Sequence, residues 1–261
     1  MKKLHFDYCM QIKYSEDVSS CNYTIKCIPQ KTSRQDPYNL DVFFSPPTKY
    51  QIGFDGLKNK QFYGRNGEPH DTFIFRITGD ANVGLSEYEE EENDELTMIF
   101  KHPHGLNIAG KEIKKYYESL VFEDGLDDYS KAIYVMEKLH SDYSYMPNTT
   151  SIYTTAEEAF TQGHGVCQDF AHIYIALIHL IGIPARYVTG LIIGEGASHA
   201  WVEILIDNKW YGLDPTNNKK VFDEHIKLGV GRDASDCMIN RGIMHGGGLH
   251  TQTINVNVEE I

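Results

Sequence analysis

The sequence predicts an α+β protein in which an all-β stretch of about 100 residues precedes a region of helices and then strands. Three observations lead there. Strict apolar–polar alternation opens the chain at Leu4, Phe6, Tyr8, Met10 and Ile12, the period of a half-buried strand. After about residue 100 the apolar spacing lengthens to helical intervals, at Ile108, Ile113, Tyr116, Tyr117 and Leu120. Beyond Pro184 the strand pattern returns. Helices followed by strands, not interleaved with them, describe helices packed on an antiparallel sheet. The expected division is a β-sandwich-like unit at 1–100 and an α+β unit at 101–261.

The elements follow in order. Shorter alternations recur at Tyr50, Ile52 and Phe54 and again at Phe73, Phe75 and Ile77, and Pro46-Pro47 ends the segment holding Phe43 and Phe44. Asn66-Gly67 predicts a hairpin turn, because both residues tolerate positive φ. The acidic run from Glu87 to Glu95 repels itself and is expected as a solvated loop or strand end. It has neither the spacing nor the turn glycine of a calcium loop. A helix from about Asp127 would put Ile133, Met136 and Leu139 on one face. Thr155-Ala156-Glu157-Glu158 is a capping box for a short helix. Val166 to Ile181 is a longer apolar helix, stopped by Gly182 and Pro184. Strands are expected at Ala185–Ile193, His199–Ile206, Trp210–Leu213 and around Ile254, Val256 and Val258.

Composition narrows the function. A formal net charge of −13 over 261 residues disfavours nucleic acid and anionic membranes as partners. No run approaches the ~18 apolar residues of a membrane span. Lys2 and Lys3 lead into a segment broken by Asp7, Gln11 and Lys13, which argues against a secretory signal. Five cysteines without a CxxC pair read as free thiols, so the cytoplasm is the expected compartment. No HExxH pattern or paired-cysteine spacing calls for a metal, and no cofactor is expected. His172 and His179 share a helix face and are assigned to packing, as are Trp201 and Trp210; His102, His104, His245 and His250 lack identifiable ligand partners. Arg232-Asp233 is expected as a structural ion pair.

The chemistry gathers around one thiol. Gly163-His164-Gly165-Val166-Cys167 puts a cysteine where a glycine-containing turn feeds a helix, and free amides with the helix dipole favour a thiolate there. His199 opens a strand on which His199, Trp201 and Glu203 share a face. If Asp207-Asn208 is a two-residue turn, Asp214 falls opposite Trp201. It then shares a face with His199 at an offset of about 7 Å, whereas a slip of one residue would reverse the face. A thiolate at Cys167 would attack an amide or ester carbonyl, His199 would form its ion pair and protonate the leaving amine, and Asp214 would fix the imidazole. The Cys167 N–H would serve the oxyanion. Asp169 is expected to serve the helix start, and His164 is too loosely held to be a base.

Three blocks, Gly165-Val166-Cys167-Gln168-Asp169-Phe170-Ala171-His172, His199-Ala200-Trp201-Val202-Glu203 and Trp210 through Asp214-Pro215-Thr216, resemble the catalytic blocks of the bacterial transglutaminase-like superfamily. Gly231-Arg232-Asp233-Ala234-Ser235-Asp236 and Gly246-Gly247-Gly248 resemble the close of its members. The resemblance implies a papain-like fold, a Cys167–His199–Asp214 triad, an N-terminal β-domain and a thioester intermediate. It also suggests Gln162 as a second oxyanion donor. Cys237, Met238 and Asn240 depart from the family pattern. A cysteine peptidase or amidase acting on a peptide, protein or small amide is the leading expectation. A glutamine–lysine transglutaminase and a catalytically silent peptide-binding module are the alternatives.

Overall fold

The computed structural model describes residues 1–91 and 94–261. Its first sheet is built on β1 (Lys2–Ile25), with β2 (Gln35–Ser45), β3 (Lys49–Phe54), β4 (Lys60–Asn66) and β5 (His70–Val83). β1 is flanked on one side by β5, along residues 2–18, and by β4, along residues 21–25. β2 continues outward from β5 and β3 from β4. The opening alternation is thereby explained: Leu4, Phe6, Tyr8 and Met10 are fully buried and join Phe44, Phe62, Phe73 and Phe75 in one core.

Asn66-Gly67 makes no hairpin. β4 and β5 both run antiparallel to β1, so the chain continues in one direction through this pair. The reversal lies instead between β3 and β4, where the Asp55 carboxylate accepts the N–H groups of Leu57 and Asn59. Tyr50, Ile52 and Phe54 are 41, 51 and 62% exposed, not half-buried like β1, because β3 is an outer strand of the sheet.

The second half begins with β6 (Tyr88–Glu90), α1 (Asp94–Ile99), a 3-10 turn at Gly105–Asn107, α2 (Lys111–Ser119) and α3 (Asp128–Asp142). Ile108 lies between that turn and α2 and is exposed, so the helical spacing begins at Ile113. Asp127 caps α3. After β7 (Ser144–Tyr145), α4 (Ala156–Gln162) starts at the expected capping box, with Thr155 and Glu158 exchanging bonds. β8 (His164–Gly165) leads into α5 (Cys167–Ile181), whose end needs the left-handed φ of 94° that Gly182 supplies. α5 is buried along most of its length between the other helices and the second sheet.

That sheet contains β9 (Ala185–Ile192), β11 (His199–Ile206), β12 (Lys209–Asp214), β13 (Lys219–Lys220) and β14 (His225–Gly231), with β6 on β12. β10 (Gly194–Gly196) leaves it to pair with β16 (His250–Glu260). β16 and β15 (Asn240–Gly246) pair with the remaining edge of β1. A division at residue 100 therefore needs correction: residues 240–260 complete the first sheet, and β6 joins the second. Alternation in a sequence identifies a strand's faces but not its neighbours, which is why the partners were not legible.

The acidic run is also recruited, not merely solvated. Glu89 pairs with Arg186 and Lys227, and Glu91 accepts the indole N–H of Trp210. The expectation for Glu92 and Asn93 lies outside the described residues.

Gly190 sits opposite His199 and passes beneath the Trp201 ring. A Cβ there would fall inside contact distance of both that ring and the Ile226 carbonyl oxygen. Gly190→Ala should therefore lower unfolding free energy by roughly 1–3 kcal/mol, read as an earlier urea midpoint with an unchanged slope.

Candidate active site

Cys167 is the first residue of α5, reached through extended Val166. β7 and β8 pair in parallel, with Tyr145 beside Gly165, which fixes the approach to the helix. Asp169 is fully buried and accepts the Val166 N–H and the Thr150 hydroxyl, each at 2.7 Å. Burial raises its carboxyl pKa, and those two bonds oppose the shift. Asp169 thus locks the turn, as expected of a helix start. The Asp169 N–H bonds the Val166 carbonyl at 2.9 Å; ahead of it, the amides of Cys167 and Gln168 precede the first intrahelical acceptor and can meet an anion.

Cys167 is partly exposed. Burial pushes the thiols of Cys9, Cys21, Cys27 and Cys237 above the ordinary range. All five cysteines are unpaired. Tyr145 pairs with Gly165 two residues ahead of Cys167; burial raises its phenol, and negative charge on Cys167 raises it further.

The β11–β12 hairpin has the register that brings His199 and Asp214 together. Asp207 and Asn208 both adopt positive φ, and Val202 faces Leu213. His199 Nε2 is 2.8 Å from Asp214 Oδ2, so twist closes the offset between them. Burial by itself would lower the His199 pKa. Hydrogen bonds to Asp214 and to Cys167, with the negative charge of both, outweigh it and raise the value to about 10. With Nε2 committed to Asp214, Nδ1 is the ring nitrogen left for the sulfur.

Asp214 is fully buried, which disfavours its charge. Five donors reverse that balance. Oδ1 accepts the N–H groups of Thr216 and Asn217 at 3.0 and 3.1 Å. Oδ2 accepts from His199 at 2.8 Å, Asn217 Nδ2 at 2.8 Å and His225 Nε2 at 3.1 Å. Its pKa lies far below the carboxylate range as a result.

The other candidates fall into structural places. Glu203, on the His199 face, is buried in an ion network with Arg186, Lys227 and Arg34. Trp201 and Trp210 are each 1% exposed and pack within the molecule. His172 accepts the Ala234 N–H, and His179 bonds the Phe100 carbonyl. His104 meets Asp233, and His250 packs on Tyr14. Arg232 pairs with Asp236 at 2.7 Å, not with Asp233, whose carboxylate serves Leu106 and Ser235. Gln162 ends α4 on the surface.

His199, Asp214 and His225 bring their ligand-type atoms within 4.8 Å of one another. The two contacts to Asp214, at 2.8 and 3.1 Å, are hydrogen-bond lengths. Two ligands on a tetrahedral zinc with bonds of about 2.0 Å stand roughly 3.3 Å apart. Two N–H donors sharing one carboxylate account for this cluster.

Three neighbours of the site were not read from the sequence. Asn217 had a signal, since an aspartate followed by Pro-Thr-Asn can fold back on its own carboxylate. His225 had none, because its strand carries a bulge between Lys227 and Gly229 that breaks the alternation. Tyr145 lies in a two-residue strand too short for any period.

Comparison with known proteins shows what the chain as a whole is similar to. The Transglutaminase-like superfamily profile matches residues 119–215. An uncharacterized protein of Mycobacterium leprae is 35% identical over 131 residues, spanning 46% of this chain and 47% of that protein. Uncharacterized proteins of Mycobacterium bovis and Mycobacterium tuberculosis are 33% identical over 299 aligned positions, covering 96% of this chain and 90% of theirs. A crystal structure from Cytophaga hutchinsonii, described as a "putative cysteine protease", superposes with a TM-score of 0.81 at 21% identity, covering 100% of this chain and 91% of that one. The two share a mixed fold of mostly antiparallel sheets with few helices. Among the described residues, no helix is long and apolar enough to cross a membrane.

The His199–Asp214 pair sets a pH window. His199 is raised above its ordinary 6.5, so its contribution to stability is whole below 6.5 and is lost as pH climbs through about 10. Asp214 is depressed, so its contribution is whole above its ordinary 3.8 and is lost as pH falls toward the folded value. Wild type should exceed Asp214→Asn by roughly 2–3 kcal/mol, with a plateau between about pH 4 and 6.5 and a decline on either side. Urea unfolding across pH measures it.

Proposed function

Since this chain belongs to the transglutaminase-like superfamily, we propose that it is a thiol enzyme that cleaves an amide bond of a peptide, protein or small amide, with Cys167, His199 and Asp214 as its catalytic residues. The observation that carries the reading is the buried 2.8 Å contact between His199 and Asp214, with the sulfur at the start of α5 near enough to help hold the positive form of the same imidazole. A structural cysteine needs neither partner.

In the proposed reaction the Cys167 thiolate attacks the carbonyl carbon, and negative charge moves to the carbonyl oxygen beside the first amides of α5. The His199 imidazolium then gives its proton to the leaving nitrogen, the C–N bond breaks, and a thioester remains on Cys167. Water enters, His199 takes its proton, and hydroxide displaces the sulfur to release the acid and restore the ion pair. Asp214 stays ionised throughout and stabilises the positive imidazole. The five unpaired thiols favour a reducing compartment such as the cytoplasm.

A primary amine in place of water would make the same thioester a crosslinking intermediate, so the acceptor is the point to test. Mass spectrometry of a glutamine peptide incubated with and without a primary amine should find mainly a one-dalton deamidation or a cleaved peptide; an amine adduct as main product would reassign the protein to transamidation. Iodoacetamide at pH 6 should label Cys167 at least tenfold faster than Cys9 or Cys237, and His199→Ala should erase that advantage. Equal, slow labelling in the wild type would favour a silent peptide-binding module.

A further inference from the structure

We propose that His225 is a positioning residue of this site: it holds Asp214 through the oxygen that also receives His199, and it stays neutral so that the cluster's positive charge resides on His199. The proposal rests on the catalytic reading above and adds a fourth side chain to it.

Two imidazoles compete for one carboxylate oxygen. His199 Nε2 and His225 Nε2 lie 2.8 and 3.1 Å from Asp214 Oδ2, and their ring centroids are 5.9 Å apart. Were both protonated, two positive rings would face a single carboxylate in a space closed to water. One of them must be neutral, and the surroundings decide which.

His199 has a second negative partner in the Cys167 sulfur. His225 has none. Its side chain is 1% exposed, and its ring stands edge-on to Trp201 at 5.2 Å between centroids. Among the described residues its Nδ1 is buried without a hydrogen-bond partner. A proton there would be a buried donor with no acceptor, which is costly. The neutral ring protonated on Nε2 avoids that penalty and still supplies the donor that Asp214 receives.

The charges around it agree. Arg34, from the β1–β2 connection, and His199 both face His225 and oppose a further positive charge. Glu203 of β11 and Glu89 of β6 line the adjoining crevice, but both are engaged by Arg186 and Lys227. Glu224, its neighbour on the chain, is occupied by Lys219. Burial first, then these like charges, lower the His225 pKa despite Asp214.

The bond also has a mechanical side. The two backbone donors on Oδ1 come from the same turn as Asp214 itself. His225 reaches Oδ2 from β14, across β9 and β11, so it ties the carboxylate to a different part of the sheet. β14 is in turn fastened to the first sheet. Gln35 Oε1 accepts the Lys227 N–H at 2.8 Å, and Gln35 Nε2 donates to the Lys227 carbonyl at 2.9 Å.

The test needs no substrate. The rate of Cys167 alkylation by iodoacetamide is followed against pH in the full chain, for wild type, His225→Phe and His225→Gln. Phenylalanine keeps a ring against Trp201 but cannot donate. It should move the acidic limb upward by about one pH unit, the size expected when one hydrogen bond in a charged cluster is lost. Glutamine can donate and should return the limb toward wild type. A His225→Phe profile that overlays the wild type would overturn the proposal. In the wild type, long-range proton–nitrogen NMR at pH 7 should find His225 protonated on Nε2 alone; a doubly protonated ring would overturn it even if the variants do not fold. A wild type without any enhanced reactivity at pH 6 would instead defeat the thiolate reading, a separate result from either of these.

Discussion

A negative charge buried away from water organises the candidate site. Left alone in a protein interior, the Asp214 carboxylate would take up a proton, because burial disfavours its ionised form. Five donors prevent this, and they come from two backbone amides, one amide side chain and two imidazoles. Each donor constrains an element. The amides fix the turn after β12, His199 fixes the start of β11, and His225 fixes the start of β14. The placement of the His199 ring follows from satisfying this one group.

The rest of the second sheet's His199 face continues the theme at lower stakes. Glu203 is 1% exposed and meets three cations, and Glu89 shares two of them. Breaking such a network by removing one partner leaves a buried charge uncompensated. The network ties Arg34, just ahead of β2 of the first sheet, to Glu203 of β11, and Glu89 of β6 to Arg186 and Lys227 of β9 and β14; Gln35 of β2 adds its two bonds to the Lys227 backbone. The β-rich first part thus acts as the back wall of the site.

Legibility in the sequence followed the range of each interaction. Local signals were dependable: the capping box at Thr155, the stop at Gly182, the turn at Asp207-Asn208 and the alternation of Leu4 to Ile12 each depend on a few neighbouring residues. The His199–Asp214 pair was legible because a two-residue turn fixes the register of both strands. Long-range pairing was not legible. Nothing in the alternation of Ile254, Val256 and Val258 says that its partner is β1, and nothing in Asn66-Gly67 says that β4 and β5 share a neighbour instead of pairing with each other. His225 was hidden for the same reason, since it meets Asp214 only once β14 has docked on β9.

The placement of β16 has a temporal meaning. Its residues pair with Leu4 to Tyr14 at one end of the chain and, through β10, with the segment just ahead of His199. During synthesis the ribosome emits β1 more than two hundred residues before β16 arrives, and the loop before His199 about sixty residues before. The long edge of β1 therefore waits uncovered while the remainder is made, the kind of delay that exposes a nascent sheet to wrong partners. The thiol at the start of α5 leaves the ribosome before either His199 or Asp214. In the mechanism proposed above, the sulfur therefore has neither of its partners until both strands have emerged.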